Sequence, residues 1–161
     1  MSAERDRKIQ AYSQAHQQLL AALERFPHEM WKFRPAPGEW SIHEMIIHIA
    51  DSEANSYVRL RRFLAEPGSD VLGYDQDVWA RQLDYHQQDT AAALELFKWL
   101  RLLSTPLLLD LPEAAWASTV RHSEYGPITL DSWLTTYARH VEVHIAQMQA
   151  NYAAWLKQRE D

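Results

Sequence analysis

Apolar residues recur every three to four positions along four separate stretches of this chain, and that period admits little besides amphipathic helix. The first stretch runs from about Glu4 to Phe26 through Ile9, Tyr12, Leu19, Leu20, Leu23 and Phe26. Pro27 and the Pro35-Ala36-Pro37-Gly38 segment break it. The second opens on Ser41-Ile42-His43-Glu44, a capping-box pattern, and continues to about Glu66 through Ile42, Met45, Ile46, Ile49, Leu60, Phe63 and Leu64. Pro67-Gly68 closes it. The third runs from about Asp89 to Ser104 through Leu94, Phe97, Leu100 and Leu103. The fourth runs from Thr129 to about Arg159 through Leu130, Trp133, Leu134, Tyr137, Val141, Ile145, Met148, Tyr152 and Trp155. Between the second and third lies a connection of roughly twenty residues, long for a compact bundle, with a short helix predicted from Asp75 to Gln82. It is placed to cover an open end where a ligand would bind. Val120 to Ile128, containing Gly126-Pro127, reads as a turn or small hairpin. The fold class is therefore all-α, a four-helix bundle with a long crossover between helices two and three, in a single domain over 1–161.

The chemistry concentrates in histidine. His140 and His144 stand four apart on the last helix, close enough for both imidazoles to hold one ion. His48 sits on the second helix. On a helical wheel His144 lies inside the apolar stripe and His140 at its edge, which Gln147 and Asn151 continue. His48 lies on a flank, followed by Ser52, Asn55 and Arg59. Two polar strips beside apolar faces fit a lined cavity between helices; they equally fit the lines where each helix emerges into solvent. His16, His28, His43, His86 and His122 read as surface or locally hydrogen-bonded residues, with His16 sharing a face with Tyr12, Leu19 and Leu20.

Other chemistries are excluded by what the sequence lacks. With no Cys, a metal must be held by nitrogen and oxygen, and there is neither a disulfide nor a cysteine nucleophile. His140-Val141-Glu142-Val143-His144 is not the zinc-protease motif, and Glu142 projects away from the histidine face. No Glu-x-x-His occurs, so a carboxylate di-iron bundle is not expected. The attacking species would be metal-bound water or an external thiol, and no catalytic acid or base is assigned. A net charge of −6 argues against nucleic acid as a partner. Met1-Ser2-Ala3-Glu4-Arg5-Asp6 lacks a signal peptide's apolar run and no stretch spans a bilayer, so a soluble, cytoplasmic protein without a membrane partner is expected.

Several segments, in order along most of the chain, resemble the DinB/YfiT-like family of candidate metal-dependent hydrolases and thiol-dependent transferases. They are Glu39-Trp40-Ser41-Ile42, His48-Ile49-Ala50-Asp51-Ser52 with Asn55-Ser56-Tyr57, Tyr74-Asp75-Gln76-Asp77-Val78-Trp79, and His140 through Ile145. The resemblance implies an up-down-down-up bundle, frequent homodimers, and one divalent ion, usually zinc or nickel, on three histidines that fall here on His48, His140 and His144. It implies that Tyr74, Asp75 and Trp79 help wall the site; Asp75 equally reads as a helix cap and Trp79 as packing. Some relatives are described as hydrolases by analogy, while others use small thiols such as bacillithiol or mycothiol. Ser52, Asn55, Arg59, Tyr74 and Gln147 are the candidate pocket lining, with Arg59 the natural anchor for an anionic group on a small-molecule substrate or thiol. The function expected is a metal-dependent thiol S-transferase or hydrolase with an open coordination position. The alternatives are a non-catalytic metal or small-molecule binding protein of a stress response, and a structural dimer with ordinary core histidines.

Overall fold

In the computed structural model, residues 3–160 are described; the expected span of 1–161 and the polar N-terminal segment extend beyond them. The elements are α1 (Ala3–Leu23), α2 (Ile42–Ala65), β1 (Asp70–Val71), α3 (Gln76–Gln82), α4 (Thr90–Ser104), α5 (Pro106–Leu109), β2 (Thr119–His122), β3 (Gly126–Thr129) and α6 (Leu130–Lys157). Helix starts coincide with side chains able to cap them. Ser41 accepts the Glu44 N–H while the Glu44 carboxylate accepts the Ser41 N–H, closing the capping box of α2. Asp75 caps α3, Asp89 caps α4, and Thr129 caps α6 in a reciprocal pair with Ser132. The Asp75 cap is the structural role weighed against site walling in the sequence.

Two apolar clusters fix the helix directions. At one end Ile9 and Tyr12 of α1 pack with Leu60 and Phe63 of α2, Leu108, and Leu130, Trp133 and Tyr137 of α6. At the other end Leu19 and Leu23 of α1 pack with Ile42, Met45 and Ile46 of α2, Phe97 of α4 and Met148 of α6. The starts of α1 and α6 thus share one end with the finish of α2, and α4 runs alongside α2. The order is up-down-down-up, with α1 packed on α6 and α2 on α4. Among the described residues no helix is long and apolar enough to cross a membrane.

Helix α4 departs from the pattern read in the sequence. Its buried positions are Phe97, Arg101 and Ser104, while Leu103 is 54% exposed, on the outside with Leu96, Trp99 and Leu102. The physical reason is an ion pair. The Arg101 guanidinium reaches Glu53 of α2 at 2.7 Å, with both side chains almost fully buried. Tyr12 donates its hydroxyl to Glu53 at 2.7 Å, and Arg101 donates to the carbonyls of Tyr12 (2.9 Å) and Tyr137 (3.1 Å). Its guanidinium also lies 3.7 Å from the Tyr12 ring centroid. Satisfying that charge turns the leucine-rich face outward.

The predicted hairpin is β2 paired antiparallel with β3, and Gly126 takes φ +70° at its turn, a conformation glycine adopts without a Cβ penalty. The short strand β1 was not anticipated. It joins β2 in parallel, Asp70 beside Arg121 and Val71 beside His122, and so ties the α2–α4 crossover to the α5–α6 connection.

Candidate metal centre

His48 enters the site from α2, and His140 and His144 enter from α6. One ring nitrogen from each lies within 4.8 Å of the others, and this is the metal-competent cluster among the described residues. The Nε2 atoms of His140 and His144 are 3.1 Å apart, and the His48 ring centroid is 5.4 and 4.9 Å from theirs. The i, i+4 spacing brings the α6 pair together as expected. His48 differs from its sequence reading. It is buried rather than flanking, because Ile42 through Ala50 are covered on every side of the first turns of α2.

Burial sets the electrostatics. Desolvation, with His144 nearby, pushes the His48 imidazole down to about 3, and desolvation also holds His140 well below its ordinary range. His144 is lowered by burial against an opposing hydrogen bond from Gln147. Three neutral imidazoles are the protonation state that a metal requires. Gln147 Oε1 lies 2.7 Å from His144 Nδ1, and so accepts the N–H that orients this ring with Nε2 toward the cluster. The Nδ1 atoms of His48 and His140 are buried without a hydrogen-bond partner. The all-imidazole donor set suits a divalent transition-metal ion.

Two cavities meet at the triad. One, of about 330 Å³, touches His144 and is lined by Pro35, Trp40, Met45, Gln147 and Asn151. The other, of about 220 Å³, touches His48 and His140 and is lined by Ser52, Arg59, Tyr74, His122 and Tyr137. Gln76, at the start of α3, lines both, so the crossover does lie over the site.

The remaining sequence candidates separate clearly. Ser52, Arg59 and Tyr74 share the second cavity, and Gln147 supports His144. Asn55 does not join them: its amide donates to the Asp51 carbonyl at 2.9 Å, and the residue lines an outer groove with Leu72 and Trp79. Asn151 donates to the Trp40 carbonyl at 2.8 Å, fixing the loop that closes the first cavity. Trp79 packs on Tyr74, ring centroids 4.4 Å apart, behind the wall rather than in it. Among the lining residues that escaped sequence reasoning are His122 and Tyr137. His122 is buried by the in-out alternation of β2, and that alternation with Val120 is the signal that could have found it. His43 is also buried rather than superficial, with Nε2 2.8 Å from the Gln88 carbonyl.

A family profile described as the DinB superfamily matches residues 11–148. The chain belongs to the DinB superfamily. Within the superfamily, a candidate metal-dependent hydrolase of Oceanobacillus iheyensis is 32% identical over 111 residues, covering 69% of this chain. The matched region spans 64% of that relative's own length, under two thirds of it. YfiT of Bacillus subtilis, named in the same terms, is 27% identical over 146 residues, covering 90% of this chain and 82% of the relative. The solved structure of YfiT, described as an unusual four-helix bundle, matches with a TM-score of 0.85 over 94% of this chain and 87% of that one. This DinB chain therefore shares the YfiT fold along nearly its whole length.

Proposed function

We propose that this DinB protein is a metal-dependent enzyme holding one divalent ion, zinc or nickel, on His48, His140 and His144. The observation that carries the reading is the convergence of three neutral imidazoles, His48 and His144 buried and His140 half-buried, within 4.8 Å of one another. Three protein ligands leave a coordination position for a reactant. A bound ion would supply Lewis acidity, activating a water or a thiol near neutral pH. The relatives' naming as candidate metal-dependent hydrolases supports metal chemistry. Two cavities reaching the triad from different sides support two-reactant chemistry, with transfer to or from a small thiol in one and an acceptor in the other. The cytoplasm, where small thiols stay reduced, is the proposed setting.

The chain's own residues position and exclude. Gln147 holds the His144 tautomer, Trp40 packs on His48 with ring centroids 4.7 Å apart, and Asn151 secures the Trp40 segment. Metal content by mass spectrometry tests the proposal. About one equivalent is expected in the wild type after zinc or nickel reconstitution, with none in His140→Ala/His144→Ala. Gln147→Ala is expected to bind roughly 10–100-fold more weakly, as for other supporting partners of a ligating histidine. Equal metal content in wild type and double variant would sink the reading.

We further propose a homodimer built on the outer face of α4 and α5. Leu96, Trp99, Leu102, Leu103, Leu107 and Leu109 are exposed together there, forming an apolar patch suited to the centre of a two-fold interface. Light scattering should find a dimer in the wild type and a monomer in Trp99→Glu/Leu103→Glu. A monomeric wild type at micromolar concentration rules the interface out.

A further inference from the structure

Resting on that metal-site reading, we propose that the substrate carries a carboxylate and that Arg59 clamps it at the far end of the second cavity. Arg59 follows His48 by eleven residues on α2, which places the two α-carbons ~16 Å apart along one flank of the helix. Long helical side chains lean back toward the N-terminus, so the guanidinium reaches toward the triad across the cavity that both residues line.

The guanidinium is held before any ligand arrives. It donates from Nη2 to the Leu72 carbonyl at 2.6 Å and from Nη1 to the Tyr137 hydroxyl at 3.2 Å. An arginine has five N–H donors, so three remain to bind a ligand. Arg59 makes no ion pair among the described residues, although acids outnumber bases, 22 to 16, in the whole chain. This contrasts with Arg101, which the fold neutralises with Glu53.

The one acid lining this cavity is drawn aside. Glu124 donates its backbone N–H to His122 Nδ1 at 3.2 Å, and its carboxyl lies over Gly73, where an added Cβ would stand 2.5 Å from the carboxyl carbon. The glycine makes room for Glu124 to rest there. One fixed guanidinium, flanked by the Tyr74 and Tyr137 phenols, matches a single negative charge, and its planar fork matches a carboxylate. A phosphate of nearly double charge would be left undercompensated. At a net charge of −6 the chain gives no general attraction to anions, so the selection is local.

The test uses cobalt-loaded protein titrated with mercaptohexanoate and with mercaptohexanol, reading the thiolate-to-cobalt absorption. The carboxylate is expected to bind about tenfold tighter than the alcohol. Arg59→Gln should bring the two to parity without changing the alcohol. Arg59→Lys, which keeps the charge and loses the fork, should retain part of the preference. Thermal melts by circular dichroism check that both variants fold, and if Arg59→Gln does not, a reduced preference in Arg59→Lys carries the test. Equal binding of both thiols by the wild type, or a preference that survives Arg59 replacement, overturns the clamp. Failure to load cobalt overturns the metal reading instead. Adipate titrated onto the metal-free protein then decides the clamp alone: binding lost in Arg59→Gln upholds it, and no binding overturns it.

Discussion

Replacing Arg101 with Met is expected to lower the unfolding free energy by about 3–5 kcal/mol, the cost of stranding a buried charge without its partner. Glu53 is fully buried, and its carboxylate is met by Arg101 at 2.7 Å and by the Tyr12 hydroxyl at 2.7 Å. Methionine keeps much of the arginine stem and removes the charge. It also leaves the Tyr12 and Tyr137 carbonyls without their guanidinium donor. Removing both charges in Glu53→Leu/Arg101→Met is expected to recover most of the loss, because ion pairs in apolar surroundings often contribute little net stability over well-packed apolar residues. Urea unfolding of the wild type, the single variant and the double variant measures both statements. A loss under about 1 kcal/mol in Arg101→Met would show that the pair is not the anchor of α4 described above.

The metal-free protein is expected to lose stability as pH falls below 6.5, the ordinary histidine value. Burial lowers His48 to about 3 and lowers His140 strongly, so below 6.5 the unfolded chain binds protons that the folded chain refuses. A folded state that binds fewer protons is favoured at high pH and penalised at low pH. The contribution is fully present above 6.5 and is lost on descending below it. His48 accounts for about 1.5 kcal/mol between pH 6.5 and pH 5, and His140 adds to it in the same sense. His16, His43, His122 and His144, also lowered by burial, act in the same sense. Urea midpoints of chelated protein across this range test the claim, and a flat profile down to pH 5 contradicts it.

How much of this could be read in the sequence depended on how local the determining physics was. Caps and helical periods are local, and Ser41, Asp75, Asp89 and Thr129 marked helix starts directly. The His140–His144 pair was legible for the same reason, since four residues on a helix are a fixed distance apart. The burial of His48 was not, because it depends on what closes over α2 rather than on α2 itself. Helix α4 misled for a related reason. Leucine normally faces inward, and only the pairing of Arg101 with Glu53, forty-eight positions earlier in the chain, explains why it does not. Asn55 shared a helical flank with Ser52 and Arg59 yet faces another groove, since a flank on a wheel is wider than a cavity. Tyr137 joined the wall through tertiary packing that no spacing encodes, whereas the alternation of β2 carried a signal for His122 that went unused.

The small sheet has a consequence for how such a site could change its preferences. The three histidines belong to helices of the bundle, whereas Tyr74, Glu124 and His122 belong to two connections stitched together through β1 and β2. Residues on the bundle set the coordination geometry; residues on the stitched connections set much of what fits beside it. Because β1 grips β2, an insertion in either connection reshapes the same wall, while leaving the helices free to keep the imidazoles in register. Division of labour of this kind lets one scaffold be retuned to new molecules by altering its rim alone.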